Sequence, residues 1–173
     1  MLVIMSGLPR AGKSTIARKF AEIGFTVLNP EEYYPDNIQF DESSKAKFAI
    51  AAWEVCHQTA MNMVEDSTGN IIFDTSASNA NPILPLINKA KECGHQIITL
   101  FVVSSEIEAQ KRPGWPGHSI FINYLDKFKI SANEIKDVSD KYIIIKNNEN
   151  LDKFLSQAHK IIGDLNGKVA RIY

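Results

Sequence analysis

Residues 7–15 read GLPRAGKST, which matches the pattern G-x-x-x-x-G-K-[ST] of a phosphate-binding loop. An apolar run, MLVIM at residues 1–5, precedes this stretch and is suited to a buried strand, while STIARKF at residues 14–20 opens a helix. Gly7 and Gly12 permit a tight turn whose backbone N–H groups point inward at phosphate oxygens. The stretch therefore predicts a strand, a phosphate-binding loop and a helix start, in that order.

The side chains of this loop add a charge and a metal ligand to the backbone cradle. Lys13 supplies a mobile positive charge for the β- and γ-phosphates, and the Ser14 hydroxyl can complete the shell of a Mg²⁺ ion. We therefore expect ATP and Mg²⁺ as the ligands. The residues expected to bind the nucleotide are Gly7, Leu8, Pro9, Arg10, Ala11, Gly12, Lys13, Ser14 and Thr15.

Apolar runs alternate with helical patterns along the rest of the chain. This alternation predicts an α/β fold with three layers and a mostly parallel five-stranded sheet, in a single domain spanning residues 1–173. Residues 163–173 fit either a short extra strand or a loose tail. The expected strands are residues 2–6, 26–29, 70–75, 96–103 and 141–146, and the expected helices are residues 13–23, 43–65, 85–93, 105–111, 118–130 and 151–162.

Residues 111–118, KRPGWPGH, differ in composition from everything around them. Two prolines and two glycines exclude regular structure, and the segment begins with a cationic pair between two expected helices. In a phosphoryl-transfer enzyme, a lid that closes over the triphosphate occupies such a position. Arg112 would then stabilise the charge that develops on the transferred phosphoryl group.

Two acidic sites follow expected strands on the phosphate-loop side of the sheet, where functional residues of open α/β sheets collect. Glu31 and Glu32 follow the second strand, and Asp74 ends the third. A hydroxyl acceptor needs a carboxylate to orient it and take its proton, for which Glu31 is the first candidate and Glu32 the second. Asp74 has the pattern of an acid that holds Mg²⁺ through water or orients Ser14.

Bulk composition limits the partners that we expect. The net charge of −1 gives no general attraction to nucleic acid, although a local basic groove is compatible with it. Cys56 and Cys93 show no metal spacing with the histidines and are expected to be reduced, as in a cytoplasmic protein. We see no signal peptide and no apolar stretch long enough for a membrane span, and we expect neither a membrane nor an obligate protein partner.

Other nucleotide-binding classes lack their sequence markers here. A GTP-binding switch needs Asn-Lys-x-Asp after a strand, but the nearest string, NKAK at residues 88–91, lacks the aspartate and falls in an expected helix. The D-x-x-G spacing at residues 66–69 precedes its strand instead of following it. A transporter ATPase would be longer and would carry an LSGGQ-like segment, which is absent from the sequence.

Four segments together resemble the polynucleotide-kinase and zeta-toxin-like group of P-loop kinases, many of which are small and phage-encoded. These are GLPRAGKST, NPEEYY, IIFDTSASN and VVSSEIEAQKR, and the resemblance in order and spacing covers about residues 1–130. It implies a P-loop NTPase fold and transfer of the ATP γ-phosphate to a hydroxyl or phosphate acceptor with Mg²⁺. The general base of the group falls on Glu31, the aspartate of strand three on Asp74 and the lid arginine on Arg112.

The chain departs from that group at the acceptor side. Pro30 and Tyr34 stand where polynucleotide kinases carry arginines, and the expected base is glutamate instead of aspartate. Tyr33, Tyr34 and Trp53 either stack on a base or sugar or pack within the fold. We therefore expect a nucleic-acid or nucleoside-type acceptor, such as a DNA end, the hydroxymethyl group of a modified base, a nucleoside or a deoxynucleotide.

Two further functions remain open at this stage. A nucleoside monophosphate kinase would want several arginines at the acceptor site, and only Arg10, Arg18, Arg112 and Arg171 exist; lysines such as Lys45, Lys47 and Lys111 could replace them in part. A nucleotide-binding module without turnover would not need the intact set of Lys13, Ser14, Asp74 and Arg112. Both facts favour a kinase with a hydroxyl acceptor.

Overall fold

The computed structural model describes residues 1–33, 42–112, 117–148 and 151–169, with backbone alone at residues 42, 43, 45, 46, 120, 151 and 166–169. Its five strands form one parallel sheet in the order β2-β3-β1-β4-β5. The predicted five-stranded parallel sheet is therefore confirmed. The strands are β1 (Leu2–Gly7), β2 (Thr26–Leu28), β3 (Ile71–Asp74), β4 (Ile97–Val103) and β5 (Lys141–Lys146).

Helices cover both faces of the sheet and make the fold three-layered. Alternate residues of β1 point to opposite faces: Val3 and Met5 pack in one core cluster with α1, α5 and α6, and Leu2 and Ile4 pack in the other with α2 and α3. Burial on both faces explains why β1, β3 and β4 read as continuous apolar runs, whereas the edge strands β2 and β5 are partly exposed. The helices are α1 (Lys13–Ala21), α2 (Glu42–Glu65), α3 (Leu84–Glu92), α4 (Glu106–Gln110), α5 (His118–Val138) and α6 (Leu151–Val169), with a 3-10 helix, η1, at Pro30–Tyr33.

The last two helices are longer than the sequence predicts. Helix α5 continues past residue 130 to Val138, because Ile135 is fully buried in the cluster under α2 and α3. Helix α6 continues past residue 162 to Val169, because Leu165 is buried in the opposite cluster. The prediction of an extra strand or a loose tail is therefore wrong for residues 163–169, and residues 170–173 lie outside the described part. Among the described residues, no helix combines the length and the apolar character that crossing a membrane requires.

Gly7 is the residue at which the sheet itself constrains the sequence most tightly. It pairs with Val102 of β4, has a φ of 133°, and a Cβ at this position would lie 2.0 Å from the Val102 carbonyl oxygen. Because that oxygen belongs to a central strand, it cannot move aside without breaking the β1–β4 ladder. The position therefore accepts only glycine.

We expect Gly7→Ala to lower the free energy of unfolding by about 3 kcal/mol or more, the upper range for a single substitution with backbone strain. Gly94→Ala is the matched control, because Gly94 also has a positive φ, of 75°, but open space around its Cβ position. That variant should lose only the roughly 1–2 kcal/mol of left-handed strain. Urea unfolding of both variants measures the difference, and equal losses would contradict the clash with Val102.

Candidate active site

The phosphate-binding loop lies at the carboxyl end of the central strand, between β1 and α1. Three of its residues have positive φ: Gly7 at 133°, Arg10 at 61° and Gly12 at 103°. The Ala11 N–H donates to the Leu8 carbonyl at 3.2 Å, and the Gly7 N–H donates to the Ser76 carbonyl at 3.1 Å. This turn leads directly into the N-terminus of α1, whose partial positive charge favours a phosphate group.

Lys13, the first residue of α1, folds back over the loop. Its Nζ donates to the carbonyl oxygens of Gly7 and Leu8, at 3.1 Å each. Burial lowers the pKa of this ammonium, whereas the negative charges of Asp74 and Glu31 raise it. Lys13 is thus a desolvated cation held at the loop, as neutralisation of a polyphosphate requires.

Asp74 ends β3, the strand next to β1, and its register partner is Met5. The side chain is almost fully buried and forms a hydrogen bond with Ser14. Burial raises the pKa of the carboxyl above its ordinary value, although Ser14 and Lys13 oppose that shift. Within the described residues, the buried Oδ2 oxygen has no hydrogen-bond partner.

The predicted Mg²⁺ ligands fit that ion by their chemistry. A hydroxyl and an adjacent carboxylate with a spare oxygen are hard ligands of the kind that Mg²⁺ takes. In the part of the chain that the structure describes, no group of three or more His, Cys, Asp or Glu residues could hold a metal alone. Ser14 and Asp74 would therefore share the ion with phosphate oxygens and water, as is usual for Mg²⁺ in nucleotide sites.

Glu31 and Glu32 lie in η1, directly after β2. The Asn29 side chain orders this turn, because its Oδ1 accepts from the Glu31 N–H at 2.9 Å. The charge of Glu31 raises the pKa of both Lys13 and Asp74, whereas that of Glu32 acts on Asp74, Tyr33 and Cys56. The charge of Glu31 thus reaches the loop lysine, whereas that of Glu32 reaches Cys56 of α2.

Arg112 follows α4 and contacts the loop from the side of β5. One guanidinium nitrogen, Nη1, donates to the Arg10 carbonyl, and Nη2 donates to the Asn147 carbonyl at 3.3 Å. Ser105 caps this helix, since its Oγ accepts from the Glu108 N–H at 3.3 Å. Residues 113–116 of the predicted lid lie outside the described residues, so that the lid remains a prediction.

The aromatic residues that the sequence suggests for stacking on an acceptor have different surroundings. Trp53 stacks on His57 with ring centroids 4.7 Å apart and meets the edge of Phe73, which is a packing role. Tyr33 is about half exposed and forms a side-chain hydrogen bond with Cys56. Tyr34 lies outside the described residues. Of the two rings that the structure describes, Tyr33 is the more exposed.

Sequence reasoning missed Asn147, the residue that follows β5. Its side chain is buried, and its Nδ2 donates to the Ala11 carbonyl of the loop at 2.7 Å. The only signal in the sequence is its place just after an apolar run, in the polar string KNNEN at residues 146–150. That string is typical of a turn, and nothing in it indicates that Asn147 lies next to the phosphate-binding loop.

The buried carboxyl of Asp74 makes the stability of the protein dependent on pH. Because its folded pKa lies above the ordinary value of 3.8, the stability contributed by this group falls as the pH rises from below 3.8 through the folded pKa. Asp74→Asn does not titrate and keeps a group that can bond to Ser14. We therefore expect this variant to gain stability over wild type as the pH rises through that range, and then to hold a constant advantage.

Urea unfolding between pH 4 and pH 8 without nucleotide measures this difference. Asp66→Asn, at an exposed position in the turn after α2, is the control and should show no comparable trend. An advantage of Asp74→Asn that is the same at every pH would contradict the buried-carboxyl explanation.

Neither a protein-family model nor a curated protein matches this chain, but solved structures do. A protein from Chloroflexus aurantiacus that is designated a kinase has a TM-score of 0.61 at 11% identity over 96% of both chains. Shikimate kinase from Acinetobacter baumannii, in complex with shikimate, has a TM-score of 0.58 at 16% identity over 96% of this chain and 93% of its own. Kti12 from Chaetomium thermophilum, in complex with ADP-AlF3, has a TM-score of 0.57 at 16% identity, over 93% and 97%.

These likenesses extend over nearly the whole of each chain and establish the fold. The chain has the three-layer α/β fold of P-loop NTPases, with a parallel five-stranded sheet. At such low identity they carry no residue roles and no substrate. The resemblance to the polynucleotide-kinase and zeta-toxin-like group therefore stays a prediction.

Proposed function

We propose that this protein is an ATP- and Mg²⁺-dependent kinase that transfers the γ-phosphate to a hydroxyl group of a nucleic-acid or nucleoside-type acceptor. The convergence of Lys13, Ser14, Asp74 and Glu31 beside the phosphate-binding loop carries the proposal. These groups come from three neighbouring strand ends of one sheet. We place the activity in the cytoplasm, where Cys56 and Cys93, both free, would remain reduced.

Each residue has a separate task in the proposed reaction. The loop amides and Lys13 bind the β- and γ-phosphates and neutralise their charge. Glu31 accepts the proton of the acceptor hydroxyl. The oxygen of that hydroxyl bonds to the γ-phosphorus, and the bond between the γ-phosphorus and the oxygen of the leaving ADP breaks. Ser14 and Asp74 would hold Mg²⁺, which neutralises charge on the β- and γ-phosphate oxygens. Arg112 would give up a hydrogen bond to a backbone carbonyl and donate instead to an oxygen of the transferred phosphoryl group.

The surroundings of Arg18 and Arg112 and the charge of η1 favour a hydroxyl acceptor over a phosphate acceptor. Arg18 donates from Nε to the Ser14 carbonyl at 3.2 Å, and Arg112 donates to the carbonyls of Arg10 and Asn147. The acceptor side of the loop carries Glu31 and Glu32 in η1. Two carboxylates there repel a phosphate monoester, whereas a hydroxyl group needs one of them as its base. The half-exposed ring of Tyr33 supports an acceptor with a base or sugar.

Transfer of labelled γ-phosphate from ATP to a panel of acceptors tests the proposal. The panel contains 5′-hydroxyl DNA and RNA oligomers, DNA with hydroxymethylated bases, nucleosides and deoxynucleotides. Shikimate and gluconate are added, because a shikimate kinase and a gluconokinase share the fold. Label on a nucleic acid or nucleoside that disappears when Lys13 is replaced by alanine is the expected result.

The other outcomes separate the competing functions. Transfer only to the phosphate of a deoxynucleotide would identify a nucleoside monophosphate kinase. Label only on shikimate or gluconate would retain the kinase and overturn the acceptor class. Binding of ATP without transfer to any acceptor would favour a nucleotide-binding module and overturn the proposed reaction.

A further inference from the structure

Asn147 joins the edge strand β5 to the phosphate-binding loop. Its main-chain N–H donates to the Val103 carbonyl at the end of β4, at 2.7 Å, which fixes the backbone of the residue. Its side-chain Nδ2 donates to the Ala11 carbonyl, also at 2.7 Å, and the side chain is more than nine-tenths buried. A buried amide in a short hydrogen bond to a functional loop is costly to remove, because the Ala11 carbonyl would lose its partner.

This bond determines where the next N–H of the loop points. In a trans peptide the C=O and the N–H of the same unit point in opposite directions, and the described chain has no cis peptide bond. Holding the Ala11 carbonyl outward, against Asn147, therefore turns the Gly12 N–H to the opposite side of the loop. A phosphate-binding loop presents its amides on its concave side, where we expect the Gly12 N–H to point.

The space around Gly12 shows that the loop and Asn147 fit each other closely. A Cβ on Gly12 would lie 2.6 Å from Nδ2 of Asn147 and 3.0 Å from Cζ of Phe154, a buried residue of α6. The Asn147 carbonyl in turn accepts from Arg112, which also donates to the Arg10 carbonyl. Two successive loop carbonyls, those of Arg10 and Ala11, are thus held from outside the loop by the same corner of the structure.

We propose that Asn147 is a positioning residue that sets the phosphate-binding loop in its binding geometry by holding the Ala11 carbonyl. The role rests on the proposed function, because it acts on the loop that binds the nucleotide phosphates. It requires a donor at the end of the side chain, and size and polarity alone do not meet that need. Asn147→Asp keeps the shape and removes the donor, and Asn147→Leu removes the donor without adding charge.

The neighbouring residue provides a matched control. Asn148 is exposed, and its Oδ1 accepts from the Ser105 N–H at 2.6 Å. A carboxylate can accept that hydrogen bond equally well, so Asn148→Asp adds the same charge one residue away without losing the contact. Comparison of Asn147→Asp with Asn148→Asp therefore separates loss of the donor from added negative charge near the phosphates.

Calorimetric titration with ADP, at a temperature at which urea unfolding shows every variant to be fully folded, tests the role. A purely structural contribution would change the unfolding curve and leave the affinity of the folded protein unchanged. We expect both Asn147 variants to bind ADP about tenfold or more weakly, which is the loss of one hydrogen bond to a buried carbonyl, and Asn148→Asp to stay within about twofold of wild type.

Two results would overturn the positioning role while leaving the proposed function intact. One is wild-type ADP affinity in Asn147→Leu or Asn147→Asp, and the other is an equal loss in Asn148→Asp. Absence of ADP binding by the wild-type protein would instead overturn the proposed function, and the positioning role with it.

Discussion

Lys13→Ala is expected to reduce the rate of phosphoryl transfer by about 10³-fold or more, because positioning and charge neutralisation supply most of this catalysis. The ammonium of Lys13 is half-buried at the loop and donates to the carbonyls of Gly7 and Leu8. Burial lowers its pKa, and a triphosphate would compensate for that desolvation with negative charge. Alanine removes both the charge and its three donors.

Lys19→Ala is the matched control for this measurement. Lys19 lies on the same helix, and its Nζ pairs with Glu22 at 2.6 Å on the protein surface. Removing this exposed charge should leave turnover within about twofold of wild type, since surface ion pairs contribute little. Comparable losses in the two variants would mean that the general charge of α1 matters and that Lys13 has no special role.

The sheet was predictable because of how parallel strands are buried. All five predicted runs form strands. This includes the shortest run, residues 26–29, of which Thr26–Leu28 pair with β3. A strand covered on both faces reads as an unbroken apolar run, and the loop motif fixes the direction of β1 and α1. Local sequence therefore contained what was needed for these elements.

The ends of the last two helices were not predictable in the same way. Beyond residue 130, α5 reads SANEIKDV, whose large apolar residues, Ile135 and Val138, pack in the core cluster. Two large apolar residues in eight are too few for a periodic pattern. Burial of Ile135 under α2 and α3 depends on tertiary packing, which the sequence does not display.

Some residues of the candidate site could be predicted from local sequence, and others depend on tertiary packing. Lys13 and Ser14 follow from one contiguous motif, and Asp74 follows from its place at the end of an apolar strand. That Asp74 reaches Ser14 depends on β3 lying next to β1, which the sequence does not state. The position of Asn147 depends on the packing of more elements. Its side chain reaches Ala11 across β4 and lies, with Phe154 of α6, next to Gly12.

Glu31→Gln is expected to lower kcat by roughly 10²–10⁴-fold, the usual contribution of a positioned general base, and to change the affinity for ATP much less. The amide keeps the size of the side chain but cannot take the proton of the acceptor hydroxyl. Glu31 is the member of the acidic pair whose charge acts on Lys13 as well as on Asp74. Glu31 is therefore the first candidate for the base, and Glu32 the second.

Glu32→Gln separates the role of a base from that of negative charge. It removes the same charge from the same 3-10 helix. The charge of Glu32 also acts on Asp74, on Tyr33 and on Cys56 of α2, but it has no such effect on Lys13. For both variants, we would measure the rate of single-turnover transfer to the acceptor that the panel identifies. Titration with ATP would give the affinity. A larger loss of kcat in Glu32→Gln would move the base to that residue, and a loss of ATP affinity alone in Glu31→Gln would remove Glu31 from the chemical step.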